Sequence, residues 1–176
     1  MSAAKETLAP GMGAAPSLHI ELQEAIEFIW LEADLLDSHA YQEWLGLWTA
    51  SGHYIIPIER GDDYAAHLNI VYDDHAMRAA RVQRLASGLS MSASPSARTV
   101  RTVSRFRRLE DANGTAVIRC AQHLVEYKYD RTRLLAADVT YHLTRNDGAG
   151  SALALERKVV RLVNSDDALF GIGYLL

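Results

Sequence analysis

The sequence predicts an α+β fold: helices first, then long strands in a strongly curved, mainly antiparallel sheet, with about three helices packed on its concave side. Three observations carry that expectation. From Leu18 to Leu36, apolar residues recur at three- and four-residue spacing, the period of an amphipathic helix. From Arg98 onward the chain reads as long extended runs separated by turn-forming residues. At 176 residues it has the length of one domain with a real core.

Residues 1–17 are rich in Ala, Gly and Pro and are expected to form a flexible or partner-ordered arm, leaving 18–176 as a single domain. Lys5-Glu6 followed by Pro10-Gly11 supplies neither the basic start nor the unbroken apolar core of a signal peptide. Without a membrane-length apolar run, the chain is expected in the cytoplasm. Leu18, Leu22, Ala25, Ile26, Ile29, Trp30, Ala33 and Leu36 make the first helical stripe. Asp37-Ser38 interrupts it and offers an N-cap for a second helix, on which Tyr41, Trp44, Leu45 and Trp48 share a face.

Short extended runs follow over His53–Glu59, where Pro57 confines pairing to an edge or a strand end, and over Ala66–Tyr72. Asp73-Asp74 caps a third helix that Gly88 ends, and a serine-rich loop spans Ser90–Ser96. Four strands are expected over Arg98–Glu110, Thr115–Tyr129, Leu134–Arg145 and Ala152–Val163. Asn113-Gly114 suits a tight hairpin between the first two. Strands of this length imply strong twist and curvature.

The formal net charge of −4 and the absence of an aromatic stacking motif beside the basic run argue against a nucleic-acid binder. Cys120 is the lone cysteine, which excludes an internal disulfide and any self-contained iron–sulfur or all-thiolate zinc site. The seven histidines form no His-x-x-x-His pair, and neither a Gly-x-Ser-x-Gly nucleophile turn nor a glycine-rich phosphate loop occurs. Among 18 positive residues only Lys5, Lys128 and Lys158 are lysine. Arginine suits shared, planar, partly buried contacts better than lysine does.

Two constellations emerge. His123, Val125 and Tyr127 share one face of a strand, and Tyr141 and Tyr54 are positioned to line the same cavity. A histidine there, paired with Asp34 or Asp37 from the helices, would make an acid/base site. The plainer reading is a set of core or rim residues with satisfied polar tips. The second constellation is arginine: Arg78, Arg81 and Arg84 as a helical stripe, then Arg98, Arg101, Arg105, Arg107 and Arg108 in one strand. Arg101, Arg105 and Arg107 are expected on one face, and a lysine-free basic surface reads as a protein–protein interface.

Four stretches in order resemble a known family: Glu32-Ala33-Asp34-Leu35-Leu36-Asp37; Trp44-Leu45-Gly46-Leu47-Trp48 leading to His53-Tyr54-Ile55-Ile56-Pro57-Ile58; Val71-Tyr72-Asp73-Asp74 with Arg81-Val82-Gln83-Arg84-Leu85-Ala86-Ser87-Gly88 and Pro95-Ser96-Ala97-Arg98-Thr99-Val100-Arg101; and Arg157-Lys158-Val159-Val160-Arg161-Leu162. Together they resemble the small (β) subunit of aromatic-ring-hydroxylating dioxygenases, of the NTF2-like, scytalone-dehydratase-like fold. Two departures are Arg105, where the family often has Asn, and Ala50-Ser51-Gly52, where it often has Asp-Gly.

The resemblance implies a chain with no catalytic centre, cofactor or metal of its own, supporting an α subunit that carries a Rieske 2Fe-2S cluster and mononuclear non-haem Fe(II). It implies an α3β3 heterohexamer with contacts to other β subunits, and electrons delivered from NAD(P)H to α by a separate reductase or ferredoxin. The holoenzyme would add both atoms of O2 to an aromatic ring. Arg78, Arg81, Arg84, Arg98, Arg101 and Arg105 would be among the residues meeting α or a neighbouring β. The alternatives from other classes are a stand-alone dehydratase, cyclase or isomerase using the His/Asp/Tyr cavity, and a homo-oligomeric binding module.

Overall fold

Nine elements build an α+β fold in a computed structural model, which describes residues 18–59, 61–87, 96–112, 114–145, 152–167 and 171–176. They run α1 (Leu22–Asp37), α2 (Tyr41–Leu45), β1 (Trp48–Pro57), β2 (Asn69–Asp73), α3 (His75–Ala86), β3 (Arg98–Ala112), β4 (Thr115–Lys128), β5 (Arg131–Arg145) and β6 (Leu153–Leu162). The arm expected over 1–17, the Gly88 stop and the loop residues 90–95 lie outside the described residues.

The strands form one six-stranded sheet in the order β2-β1-β6-β5-β4-β3. Every neighbouring pair is antiparallel except β1 with β6, so β1 joins the long-strand meander by a parallel seam that the sequence did not announce. At that seam Gly52 is required: a Cβ there would stand 2.8 Å from the Leu155 carbonyl oxygen. Gly114, at φ 79°, supplies the left-handed turn residue between β3 and β4. The β4–β5 turn uses Tyr129 and Asp130, both at positive φ, and the Tyr127 hydroxyl donates to Asp130 at 2.8 Å.

Three details differ from the sequence reading. Ser38 does not open α2; its hydroxyl turns back to the Asp34 carbonyl at 2.7 Å and closes α1. His39, at φ 59°, then redirects the chain into α2, and Trp48 is the first residue of β1 rather than a helical residue. In β3 the register shifts between Ser104 and Arg107, with Arg105 at φ 56°. That bulge breaks the alternation, so Arg101 points inward while Arg105 and Arg107 are exposed.

The main core lies between the helices and the inner face of the sheet. It joins Ile20, Ile29, Leu36 and Trp44 to Ile118, Leu124, Val139, Leu143 and Leu155. The rings of Trp44, Trp48 and Tyr54 meet edge-on, with centroids 5.3–6.2 Å apart. A second, small cluster of Ile55, Tyr64 and Val159 covers part of the opposite face. No described helix is long and apolar enough to cross a membrane.

Asp74 caps α3 as expected, accepting from the Met77 amide at 2.9 Å. Replacing Asp74 with Ala leaves that amide without its partner and is expected to cost about 1 kcal/mol of stability, read as a lowered midpoint in urea unfolding.

Candidate functional site

The inner face carries a buried polar row. Asp73, Tyr54, Lys158, Tyr141 and Ile118 stand opposite one another on β2, β1, β6, β5 and β4. Strand alternation turns all five side chains to the inner, helix-covered face, where α1 meets the centre of the row and α3 meets Asp73. Glu32 lies on the buried stripe of that helix with Ala25, Ile29, Ala33 and Leu36, and it meets the row at its centre.

Lys158 donates to both Glu32 oxygens, at 2.8 and 2.9 Å, and to the main-chain oxygen of Leu176 at 2.9 Å. Trp44 Nε1 donates to Glu32 Oε1 at 2.9 Å, and the Tyr141 hydroxyl to Oε2 at 2.9 Å. The Tyr54 hydroxyl donates to the Leu176 oxygen at 3.1 Å, and the same hydroxyl oxygen accepts from the Leu176 amide at 2.9 Å. Lys158 is 0% exposed and Glu32 1%, so solvent reaches neither. Burial pulls the Lys158 ammonium below its ordinary value, opposed by the Glu32 carboxylate. Burial also raises Tyr54 and, with Glu32, raises Tyr141 well above the usual phenol range. Cys120, beneath the same pair, is pushed up to about 12 by burial.

Two arginine knots flank this row. Asp37, the last residue of α1, accepts from the Thr99 hydroxyl and the Arg101 amide, both at 2.7 Å, and from the Arg101 guanidinium. Arg101 also donates to the Leu175 carbonyl. On the other side, Arg78 donates to the carbonyls of Gly52, Thr49 and Asp73, with its guanidinium 4.3 Å from the Trp48 ring centroid. Arg81 grips the Asp73 carboxylate with two bonds, at 2.5 and 3.0 Å.

The structure therefore divides the expected interface arginines. Arg78 and Arg101 are buried, and Arg81 is half-buried on Asp73, so all three serve this chain's own fold. Arg84 and Arg105 are exposed, and Arg98 lies over the Tyr127 ring at 4.6 Å. The His/Asp/Tyr cavity does not form as expected. His123, Val125 and Tyr127 do share a face, but it is the outer one, while Tyr54 and Tyr141 point inward. Asp34 is exposed and Asp37 is held by Arg101 and Thr99.

Glu32 and Lys158 escaped the sequence reading, although each carried a signal. Glu32 sits in phase with Ile29, Ala33 and Leu36, and Lys158 alternates with Val160 and Leu162. A charged residue on each of two apolar faces is a buried pair waiting to be matched. Outside, a groove of about 1080 Å3 is lined by Tyr64, Arg119, His142, Arg157 and Arg161 among others. Burial first, then Arg157, holds the His142 imidazole below its ordinary value. Among the described residues, no group of three or more His, Cys, Asp or Glu side chains is placed to hold a metal ion.

A model of the ring hydroxylating beta subunit family matches residues 31–166, most of the chain and all of the polar row. This chain belongs to that family. It is 34% identical over 97 residues to the chlorobenzene dioxygenase subunit beta of Cupriavidus sp. strain PS12, a match covering 48% of this chain and 50% of that protein. The chain thus spans about half the length of the curated relative it matches there. In three dimensions it resembles the beta subunit of benzoate 1,2-dioxygenase from Burkholderia mallei, with a TM-score of 0.72 and 23% identity over 89% of this chain and 98% of that one. It also resembles an NTF2-like protein with a cystatin-like fold from Novosphingobium aromaticivorans, with a TM-score of 0.56 and 15% identity over 81% of each chain. The β-subunit family and the NTF2-like fold expected from the sequence are both borne out.

Two outcomes test the row. Lys158→Met strands the Glu32 carboxylate and is expected to lose about 3–5 kcal/mol in urea unfolding, much of which the double change Glu32→Leu, Lys158→Met restores. Second, Tyr54 and Tyr141 of the row, and with them Tyr174, whose hydroxyl donates to the buried Glu126 carboxylate at 2.8 Å, are all raised in the folded chain above the ordinary 10.0. The stability this contributes is complete below about pH 10 and falls as pH rises further, because only the unfolded chain then ionises them. Tyrosinate absorbance from these three residues is expected to appear together with unfolding, as followed by circular dichroism.

Proposed function

We propose that this chain is the non-catalytic β subunit of a multicomponent aromatic-ring-hydroxylating dioxygenase, acting by supporting the assembly of catalytic α subunits. The observation that carries this reading is the Glu32–Lys158 pair. It fills the centre of the sheet's inner face, where an enzyme built on a curved sheet would have to admit its reactant, and it shuts out solvent. All four of the bonds to the Glu32 carboxylate come from within the chain, which leaves it no free lone pair aimed at a substrate.

The chain's only cysteine is Cys120, whereas a Rieske centre takes two, so the cluster and the mononuclear iron fall to α in this reading. An α3β3 heterohexamer is the assembly the family implies, with electrons reaching α from NAD(P)H through a separate reductase or ferredoxin. The substrate class is an aromatic compound, as in the named relatives. Any effect of this chain on substrate preference would then pass through its contact with α. A cytoplasmic setting agrees with NAD(P)H-fed electron delivery.

The test is co-expression of the tagged chain with the Rieske-type α subunit of its host. The expected outcome is co-elution with α in one iron-containing complex, and ring hydroxylation that requires α. A chain that remains apart from α, or that turns over a dehydratase- or isomerase-type substrate alone, overturns the reading.

A further inference from the structure

The outer groove holds one cation that this chain does not answer. On its floor Val117, His142 and Arg157 are direct cross-strand partners on β4, β5 and β6. Asp62 and Tyr64 line it on the β6 side, where Arg161 donates to both, and Leu109 lines it on the β3 side. Two of the groove's arginines are matched: Arg119 donates to both oxygens of Asp138 at 2.8 Å, and Arg161 to Asp62 at 2.8 Å. Arg157 is exposed and makes no hydrogen bond or ion pair among the described residues. Its chain neighbour Glu156 is engaged elsewhere, accepting from the Thr49 hydroxyl at 2.6 Å and the Ser51 hydroxyl at 3.0 Å.

The charges that reach His142 come from every side. Arg157 and Arg161 act from β6, Glu110 from β3 and Asp62 from the segment before β2, while its β4 partner Val117 is apolar. After burial, the largest influence is Arg157, which holds the imidazole back from taking a proton. The two side chains are short of a shared negative charge. An anion between them would fill the Arg157 fork and let His142 protonate beside it.

We propose that Arg157 and His142 form the head of a binding site for a small monocarboxylate whose apolar body lies over Val117 and Leu109. Three features select that ligand. The planar guanidinium matches a carboxylate with two parallel bonds. Asp62, Glu110 and Asp166 line the same groove and oppose a second negative charge, which favours a monoanion over a phosphate dianion. The groove of about 1080 Å3 has the size of a small-molecule pocket and is far larger than a bare ion fills. The site stands apart from the β-subunit reading and needs neither α nor iron.

The experiment follows the His142 ring by NMR in the full chain labelled at histidine, with the signal assigned through His142→Gln. Hexanoate is the probe. It is expected to raise the His142 titration midpoint by about 0.5–1 pH unit, because a nearby carboxylate favours the imidazolium. The effect is expected to saturate at about 1–10 mM, as suits a ligand of this size. Hexan-1-ol is expected to leave the midpoint unmoved, and inorganic phosphate to require about tenfold more. Arg157→Gln removes an exposed side chain, so the variant is expected to keep the wild-type melting temperature. Without ligand it is expected to raise the His142 midpoint, since the opposing cation is gone, and to weaken the hexanoate response about tenfold or more.

A wild-type midpoint that ignores hexanoate, or a response that survives Arg157→Gln unchanged, overturns the site. Phosphate binding tighter than hexanoate overturns the monocarboxylate class, and an equal response to hexan-1-ol shows an apolar groove without an anion site. If hexanoate does nothing while Arg157→Gln releases this chain from a protein partner, the missing carboxylate belongs to that partner and the proposal falls. None of these outcomes bears on co-elution with α, so the β-subunit reading is tested separately.

Discussion

The Glu32–Lys158 pair is the constraint around which the inner half of the molecule is arranged. Desolvating both charges costs several kcal/mol per ion, so the pair is tolerable only with near-complete hydrogen bonding. Each partner meets that demand by recruiting an element. Lys158 draws in Leu176 from the 171–176 segment; Glu32 draws in Trp44 from α2 and Tyr141 from β5. Tyr54, opposite Lys158 in the parallel β1–β6 seam, then holds Leu176 from both its amide and its oxygen. A slip of β6 by one residue would turn Lys158 to the outer face and leave Glu32 in the core alone. The pair therefore fixes the helix–sheet register more sharply than its net energy would suggest, because hydrophobic packing of Val and Leu tolerates small slides and an unpaired buried carboxylate does not.

The two arginine knots extend the same logic to the rim. Arg101 binds the end of α1 through Asp37 and the 171–176 segment through Leu175. Arg78 binds three carbonyls around β1 and β2 and lies on Trp48. A lysine in either place would offer a point charge, where the structure uses a planar fork with several donors. The scarcity of lysine thus has an internal cause as well as a surface one: much of the arginine is architectural. Arg119 with Asp138 and Arg161 with Asp62 add surface ties of the same kind, each worth far less because water competes for the charges, while Arg145, its side chain largely buried, ties Glu24 of α1 to the end of β5.

Much of the fold was legible because it is written locally. The α1 stripe, the Asp74 cap, the Gly114 turn and the long strands follow from periodicity and turn chemistry over a few residues. The parallel β1–β6 seam was not, since it joins Trp48 and His53 to residues more than a hundred positions away and no local pattern specifies such a partner. Arg78 was read as facing outward for a more instructive reason. Spacing of three put Arg78, Arg81 and Arg84 on one nominal stripe, yet Arg78 lies four before Val82 and seven before Leu85, in phase with the buried side of α3. Weighting charge over phase sent Arg78 outward. The same preference hid Glu32 and Lys158. The four stretches that carried the family resemblance turn out to supply the buried polar system: Glu32 and Asp37; Trp44 and Tyr54; Asp73, Arg81 and Arg101; and Lys158.

Inside and outside consequently obey different rules. On the inner face the Glu32 carboxylate, the Lys158 ammonium and the Tyr54 and Tyr141 hydroxyls are matched within the chain, whereas Gln122 Oε1 and Trp48 Nε1 are buried without a hydrogen-bond partner among the described residues. On the outer face, toward β3, Val100, Val125, Leu134, Arg105 and Arg107 are exposed. A pair as fully bonded as Glu32 and Lys158 is put to use in holding helix and sheet together. Chemistry would need the reverse: a reachable interior group with a perturbed proton affinity and an unsatisfied donor or acceptor. Lys158 has the perturbed affinity but neither the access nor the vacancy, and that combination makes it a keystone of the fold instead of an acid or a base.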